Sequence, residues 1–312
     1  MIIVTGGAGF IGRNLIKKLN KIKYTNILVV DNLKEGKKYI NLVDLYITDY
    51  IDKTDFINKL LNNFHFNNTE VIFHEGACSS TNEWNGKYIM ENNYQYSKII
   101  LTYCIQHSIP LIYASSAAIY GKNMNISNNK KNQHALPLNI YSYSKFLFDQ
   151  YVFNILPKIN SQVCGLRYFN VYGPYESHKG NMASIIFNLY QQINNKQYPT
   201  LFIGSKNFKR DFIHIDDIIN INLWIWKNKI SGIFDCGTGI AESFESIANT
   251  VLKYFNKKTI QYIPMPQNLR KHYQFFTKAN ILPLKNVGYP YTYINTKDGV
   301  HQYLNWLTCY NY

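Results

Sequence analysis

Tyr141-Ser142-Tyr143-Ser144-Lys145 sets a phenol and an ammonium four residues apart, on one face of a helix start. An ammonium beside a phenol favours the phenolate, so the tyrosine can exchange a proton with a hydroxyl while a hydride leaves or joins the same carbon. Tyr143 competes for that role by residue type, but it lies two residues from Lys145, a spacing that does not face it. Upstream, Leu111-Ile112-Tyr113-Ala114 runs into Ser115-Ser116-Ala117. A buried strand ending there puts Ser116 at the C-terminal edge of a parallel sheet, where ligands bind and where its hydroxyl can hydrogen-bond a reacting oxygen.

Hydride chemistry needs a carrier, and the start of the chain has the pattern that holds one. Ile2-Ile3-Val4 leads into Gly6, Gly9 and Gly12, and Leu15, Ile16 and Leu19 follow at helical spacing. A G-x-x-G-x-x-G between strand and helix gives one glycine to the tight turn, one to the approach of a pyrophosphate and one to close helix–strand packing. Asp31 ends a second apolar run, Ile27 to Val30, about twenty residues on, where the adenosine ribose should lie. An acid there favours NAD. Asn32 and the pair Lys37-Lys38 come directly after it, however, and a lysine at that point can neutralise a 2′-phosphate. The pattern therefore points to NADP, the alternative being that the lysine doublet is an ordinary solvated loop charge.

The elements that must position these groups alternate. Val71-Ile72-Phe73 and Leu111 to Ala114 are short, non-alternating apolar runs of the kind buried in parallel sheets, and Lys87 to His107 is long enough for the crossover helix between them. A helix from about Tyr143 to Leu156 and a strand from Gln162 to Tyr168 continue the rhythm. This predicts an α/β fold with a Rossmann-type, doubly wound parallel sheet. After Gly173-Pro174 the rhythm loosens into helices around Ser184 to Asn194, Asp216 to Trp226 and Ser243 to Phe255, with short strands and turns such as Ile263-Pro264-Met265-Pro266. That region is expected to be a smaller α/β lobe holding the substrate. Gly232 to Gly237 reads as one more strand of the main sheet, so the two are interleaved: residues 1–169 plus about 213–238 for the cofactor, 170–212 plus about 239–312 for the substrate.

Composition bounds the rest. With 46% hydrophobic and 17% charged residues, the 312-residue chain has enough apolar side chains for a real core, which excludes a disordered protein. No apolar run exceeds four residues and no basic segment precedes an apolar one at the start, so neither a membrane span nor a signal peptide is expected. Cys78, Cys104, Cys164, Cys236 and Cys309 are scattered without a close pair, which reads as a reduced, cytoplasmic chain with no structural metal or disulfide framework. The net charge of +14 raises the question of a polyanionic partner. The basic residues are spread as isolated doublets, and the excess of Lys, Asn, Ile and Tyr is what A/T-rich codons produce, so neither a nucleic acid nor a membrane is expected as a partner.

Through Gly6 to Gly12, Ser116, Tyr141 and Lys145 the sequence resembles the extended short-chain dehydrogenase/reductases. Longer motifs are similar to one family among them, the ADP-L-glycero-D-manno-heptose 6-epimerases: Phe73 to Thr81, Glu83-Trp84, Asn92 to Lys98, Arg167 to Pro174, His178-Lys179-Gly180, Asn207 to Phe212 and Gly237 to Phe244. The resemblance runs from Met1 to beyond Gly288. It implies that bound NADP oxidises and re-reduces the 6-position of an ADP-heptose, supplying heptose for a lipopolysaccharide core, in a homopentamer. By the same resemblance Phe10, Ile11, Asp31, Asn32, Lys38, Lys53, Glu75, Gly76, Ala77, Cys78, Ser79 and Asn92 line the NADP site, with Val171 at the nicotinamide end. Tyr141 and Lys179 are then the two acid/base groups, either one serving either epimer, and Lys145 binds cofactor and assists Tyr141. Lys179 also borders the cofactor. Asn170, Phe202, Ile203, Gly204, Ser205, Arg210 and Tyr273 contact the nucleotide sugar, Arg210 suiting its diphosphate because a guanidinium makes two parallel charge-assisted bonds. Asn181 and Asn188 stand where the family has Ser and His, and the polar stretch from Asn123 to Gln133 diverges as a tolerant loop does. Two other readings share part of the pattern. Nucleotide-sugar 4-epimerases or 4,6-dehydratases carry most of these motifs, though the dehydratases follow the strand-end hydroxyl with an acidic pair where this chain has Ala117-Ala118. A binding protein that has lost catalysis is the other, and the intact Ser116, Tyr141 and Lys145 speak against it.

Overall fold

The computed structural model describes residues 1–122 and 136–310, so the loop expected from Asn123 to Gln133 lies outside the described residues. In chain order the first elements are β1 (Ile2–Thr5), α1 (Phe10–Lys21), β2 (Ile27–Asp31), β3 (Asp49–Asp52), α2 (Lys53–Leu61), β4 (Val71–His74), α3 (Gly86–Ile89), α4 (Tyr96–Gln106), β5 (Leu111–Ser116), α5 (Ile140–Ile155) and β6 (Val163–Tyr168). They continue with β7 (Asn170–Tyr172), α6 (Ile185–Asn194), β8 (Thr200–Phe202), β9 (Lys209–His214), α7 (Ile215–Lys227) and β10 (Gly232–Cys236). The last are β11 (Ala241–Ser243), α8 (Phe244–Tyr254), β12 (Gln261–Ile263), α9 (Gln267–Lys271), α10 (Leu282–Asn286) and α11 (Thr296–Cys309).

Seven strands make one parallel sheet in the order β10-β6-β5-β4-β1-β2-β3, with β1 pairing β2 from Ile2↔Ile27 and β4 from Ile2↔Val71. Every residue of β1, β2 and β4 is buried, which is why these strands read as unbroken apolar runs. The chain order reverses between β1 and β4, the arrangement that opens a ligand crevice at the C-terminal strand ends. The sequence pattern finds every strand of this sheet except β3. Asp49-Tyr50-Ile51-Asp52 is an edge strand with no buried residue, so no apolar run marks it.

The described chain divides into two interleaved units. Met1–Ile119, Asn139–Arg167 and Ile219–Phe234 form the first; Tyr120–Leu138, Tyr168–Ile218 and Asp235–Tyr312 form the second. The core of the first gathers Ile3, Leu28, Ile72, Leu111, Phe148 and Val163 around the sheet. Its α3 and α4 are joined through a π-helical turn, Met90–Gln95, and α5 starts earlier than its apolar pattern suggests. The cause is a capping box: the Asn139 carboxamide oxygen accepts from the Ser142 N–H at 2.8 Å while the Ser142 hydroxyl accepts from the Asn139 N–H at 3.2 Å.

In the second unit, β11-β9-β7 and the pair β12-β8 are separate small sheets, and Tyr172, Ile186, Leu189, Ile247, Val251 and Leu304 pack a core of their own. Its turns are tied by Asp211, a fully buried carboxylate that accepts from Thr238 N–H at 2.7 Å, Gly239 N–H at 2.8 Å and Ala279 N–H at 3.1 Å. Among the described residues no helix is long and apolar enough to cross a membrane, and all five cysteines are free thiols.

Candidate active site

The glycine loop of the first unit is built backbone against backbone. Gly6 has φ +69, and a Cβ there would lie 2.6 Å from the Gly76 nitrogen. A Cβ on Gly12 would sit 2.3 Å from the Gly6 carbonyl oxygen. Gly9 caps α1 without a side chain, and the first turn, with Phe10 buried and Ile11 half-buried, brings no acid to the helix N-terminus. Those features fit an approaching pyrophosphate.

Asp31 closes β2 beside this loop. One carboxylate oxygen accepts from the Ala8 N–H at 2.8 Å; the other accepts from the Asn32 N–H at 2.6 Å and from the Lys38 ammonium at 2.5 Å. Lys38 also donates to the Asn32 carbonyl at 3.0 Å, so Asp31, Asn32 and Lys38 form one polar corner. Asn41, which the sequence pattern did not single out, ties that corner to the loop by donating to the Ala8 carbonyl at 2.9 Å. Lys53, at the start of α2, donates to the Asn92 side-chain oxygen.

Glu75, Gly76, Ala77, Cys78 and Ser79 follow β4 as an irregular stretch. Its middle is fastened by Asn93, whose side chain accepts from the Cys78 N–H at 2.8 Å, donates to the Cys78 carbonyl at 3.0 Å and donates to the Ser144 hydroxyl at 3.1 Å. Ser144 lies between Tyr141 and Lys145 on α5.

Ser116 ends β5, and its hydroxyl accepts from the Ala118 N–H at 3.1 Å. Burial pushes the Tyr141 phenol above its ordinary range, the Ser116 hydroxyl opposes this, and the Cys78 thiol adds to the rise. The phenol is thus held in its protonated form, and not drawn toward the phenolate expected from Lys145. Lys145 is 3% exposed and donates to the Ala114 carbonyl at 2.8 Å. Burial pulls its ammonium down to about 8 against the opposing carboxylates of Asp149 and Glu75. Tyr143 is 43% exposed, on the other side of the helix from the buried Lys145.

The second unit holds the other residues named from the sequence. Asn170 and Val171 begin β7, paired with Phe212 and Ile213 of β9. Lys179 lies in the turn Ser177–Met182 with Asn181, its ammonium 3.3 Å from Glu176. Glu176 is fully buried and also accepts from the Ser184 N–H at 2.7 Å, which makes it a partner the sequence pattern did not supply. Asn188, on α6, donates to the Ala183 carbonyl at 3.2 Å. Phe202, Ile203, Gly204 and the buried Ser205 connect β8 to a short turn, and the Arg210 guanidinium lies 5.3 Å from the centre of the Tyr273 ring. Phe202 meets that ring edge-on at 6.5 Å. Among the described residues, no group of three or more His, Cys, Asp or Glu is placed to hold a metal ion.

Comparison with known proteins places these features in context. The model of the NAD dependent epimerase/dehydratase family matches residues 2–237. The ADP-L-glycero-D-manno-heptose-6-epimerase of Helicobacter pylori is 28% identical over 98% of this chain and 96% of its own, with a TM-score of 0.84. A UDP-N-acetylglucosamine 4-epimerase from Methanobrevibacter ruminantium is 22% identical over 99% and 98%, with a TM-score of 0.86. The UDP-glucose 4-epimerase of Thermus thermophilus, solved with NAD, is 23% identical over 97% of each chain, with a TM-score of 0.82. The last two show a shared fold.

Proposed function

The chain belongs to the NAD dependent epimerase/dehydratase family, and we propose that it converts ADP-D-glycero-β-D-manno-heptose to ADP-L-glycero-β-D-manno-heptose by inverting the 6-position. The observation that carries this reading is the strand-end Ser116 acting on the Tyr141 phenol, with the buried Lys145 one helical turn on, in the unit that holds the glycine loop. The choice of substrate is supported by the motifs running from Met1 to beyond Gly288 and by the likeness to the Helicobacter pylori enzyme along nearly the whole of both chains.

NADP, held by the glycine loop and the Asp31 corner, would supply the hydride acceptor and donor that an inversion of this carbon requires. The chain does the rest. Gly6, Gly9 and Gly12 admit the pyrophosphate, and Lys38 and Lys53 meet the 2′-phosphate. Tyr141, acting as the phenolate once its own proton has left, is one of two acid/base groups, either of which takes the hydroxyl proton as the carbonyl forms while the other returns a proton to the inverted oxygen, and Ser116 hydrogen-bonds the oxygen on the Tyr141 side. Lys145 sits beside this exchange as a buried cation whose charge favours the phenolate. Inversion presents the hydroxyl in two mirror-related positions, so Lys179, held beside Glu176, serves as the second acid/base group. Arg210 and Tyr273 receive the nucleotide end, with Phe202 to Ser205 beside them. Ala117-Ala118 after Ser116 leaves no acid to drive elimination, which favours epimerisation over dehydration. We assign the first unit to the cofactor and the second to the sugar, and place the enzyme in the cytoplasm as a homopentamer feeding lipopolysaccharide core synthesis.

The test is incubation of each ADP-heptose epimer with the protein and chromatographic separation of the two. The unaltered protein should reach the same mixture from either side. Lys179→Met should slow the approach by about a hundredfold or more, the scale of one lost acid/base group, with dinucleotide content little changed. Turnover of UDP-sugars alone would overturn the substrate, and normal turnover in Lys179→Met would overturn the two-base mechanism.

A further inference from the structure

His74 closes β4 at 1% exposure, and its ring bridges two hydroxyls that lie far from it in sequence. The Thr5 hydroxyl is 2.6 Å from Nδ1 and the Ser97 hydroxyl 2.8 Å from Nε2. Each hydroxyl has one proton to give, and the surroundings decide where it goes. Ser97 donates to the Asn93 carbonyl at 2.6 Å, so toward His74 it can only accept, and Nε2 must carry the proton. The neutral ring then offers a lone pair at Nδ1, which accepts from the Thr5 hydroxyl. The Thr5 oxygen in turn accepts the Gly76 N–H at 3.2 Å. The protons therefore run one way: Gly76 N–H to Thr5, Thr5 to His74, His74 to Ser97, Ser97 to the Asn93 carbonyl.

Both ends of this chain matter to the site. Thr5 and Gly76 are the residues on either side of the glycine-loop contact, where Gly6 packs on the Gly76 backbone. Asn93 lies in the π-helical turn and fastens Cys78 and Ser144 through its side chain. A π-turn shifts the backbone register of its helix, a device frequent at functional sites.

We propose that His74 is a positioning residue, locked as the neutral Nε2–H tautomer, that couples the dinucleotide-binding glycine loop to the helix bearing Tyr141 and Lys145. The ring stays neutral because burial, and secondarily the nearby Lys145 ammonium, pulls its pKa to about 3. The other ring facing it is Tyr96, stacked at 5.9 Å, whose phenol burial and the Asp52 and Asp31 carboxylates push up, so it too is uncharged. A positively charged ring would present a second N–H to Thr5 and break the sequence of donors. The coupling rests on the dinucleotide reading above; the tautomer does not.

The experiment is ¹⁵N-resolved nuclear magnetic resonance of the histidine rings in the full chain, with His74→Gln identifying the resonances, joined to NADPH binding by fluorescence. The expected spectrum shows His74 with a protonated Nε2 and a bare Nδ1, unchanged from about pH 5 to pH 9. Thr5→Val, which keeps the shape and removes the hydroxyl, should weaken NADPH binding by about tenfold, the cost of one broken buried hydrogen bond. Thr5→Ser should restore it, a rescue that a merely structural threonine would not require. A ring titrating between pH 5 and 8, a protonated Nδ1 in the unaltered protein, or undiminished NADPH binding in folded Thr5→Val each overturns the proposal. An unaltered protein that binds no dinucleotide while His74 keeps the Nε2–H form would instead strike the functional reading.

Discussion

Tyr141 and Tyr143 share a helix and differ in everything that decides reactivity. Tyr141 is half-buried and acted on by Ser116, whereas Tyr143 is 43% exposed. Tyr141→Phe removes the ionisable oxygen and keeps the ring, so folding and cofactor binding should survive while epimerisation falls by about a hundredfold or more; Tyr143→Phe should change little. Equal losses, measured by the same epimer separation, would mean that the wrong phenol has been chosen. Lys145 carries a second consequence. Its folded-state pKa, about 8, lies below the unfolded value near 10.4, so the unfolded chain binds the extra proton between those limits. The penalty of the buried ammonium is present in full below pH 8 and is relieved as pH rises. Stability to denaturant should therefore gain from pH 8 to 10 relative to Lys145→Met, and parallel pH profiles in the two proteins would contradict this. The window stops at 10 because the buried tyrosines, Tyr113 and Tyr172 among them, have raised pKa values and draw stability the other way above it.

Elements explain which parts of the site can be read from the sequence. Tyr141, Lys145 and the three glycines are legible because their meaning lies in local spacing along one helix or one turn. The direction of the Tyr141 shift is not, since it depends on burial by segments far along the chain. His74 and Asn93 stand inside motifs visible in the sequence, but their roles need partners 69 residues away in Thr5 and 51 residues away in Ser144. Glu176 is hidden for a different reason: a lone acid near a lysine reads as a surface pair, and only the fold shows it fully buried. Edge strand β3 is missed because half-exposed acids mask its pairing to β2. Two element-level changes test this account. Gly12→Ala drives a methyl into the Gly6 carbonyl, so α1 must shift off the loop, and dinucleotide affinity should fall together with the melting temperature. Asn139→Ala removes the cap that starts α5 and should cost about 1 kcal/mol, a fall of a few degrees in Tm, with a larger proportional loss in turnover than in cofactor binding. Unchanged turnover would show that the capping box does not set the Tyr141–Lys145 geometry.

At the scale of the whole molecule, the proposed function assigns a part of the +14 charge to two particular lysines. Lys38 donates to Asp31, and Lys53, at the start of α2, to the Asn92 side chain. NADP should accordingly bind more tightly than NAD, Lys38→Ala should narrow the gap, and added salt should narrow it further because an exposed charge contact is screened within about 10 Å at 0.1 M. Equal affinity for the two dinucleotides in titration calorimetry would contradict the NADP assignment. Each unit is assembled from three segments, and the path returns to the first unit through most of α7 and the start of β10.

The central claim, inversion by removal and return of one hydride, is tested most directly in heavy water. Purified protein is incubated with ADP-D-glycero-β-D-manno-heptose in D₂O, and the separated product is examined by proton resonance at its 6-position. The account predicts the inverted epimer with its original hydrogen at that carbon, because a hydride held by the dinucleotide does not exchange with solvent. Deuterium at the inverted carbon, or no inverted epimer at all, would contradict it.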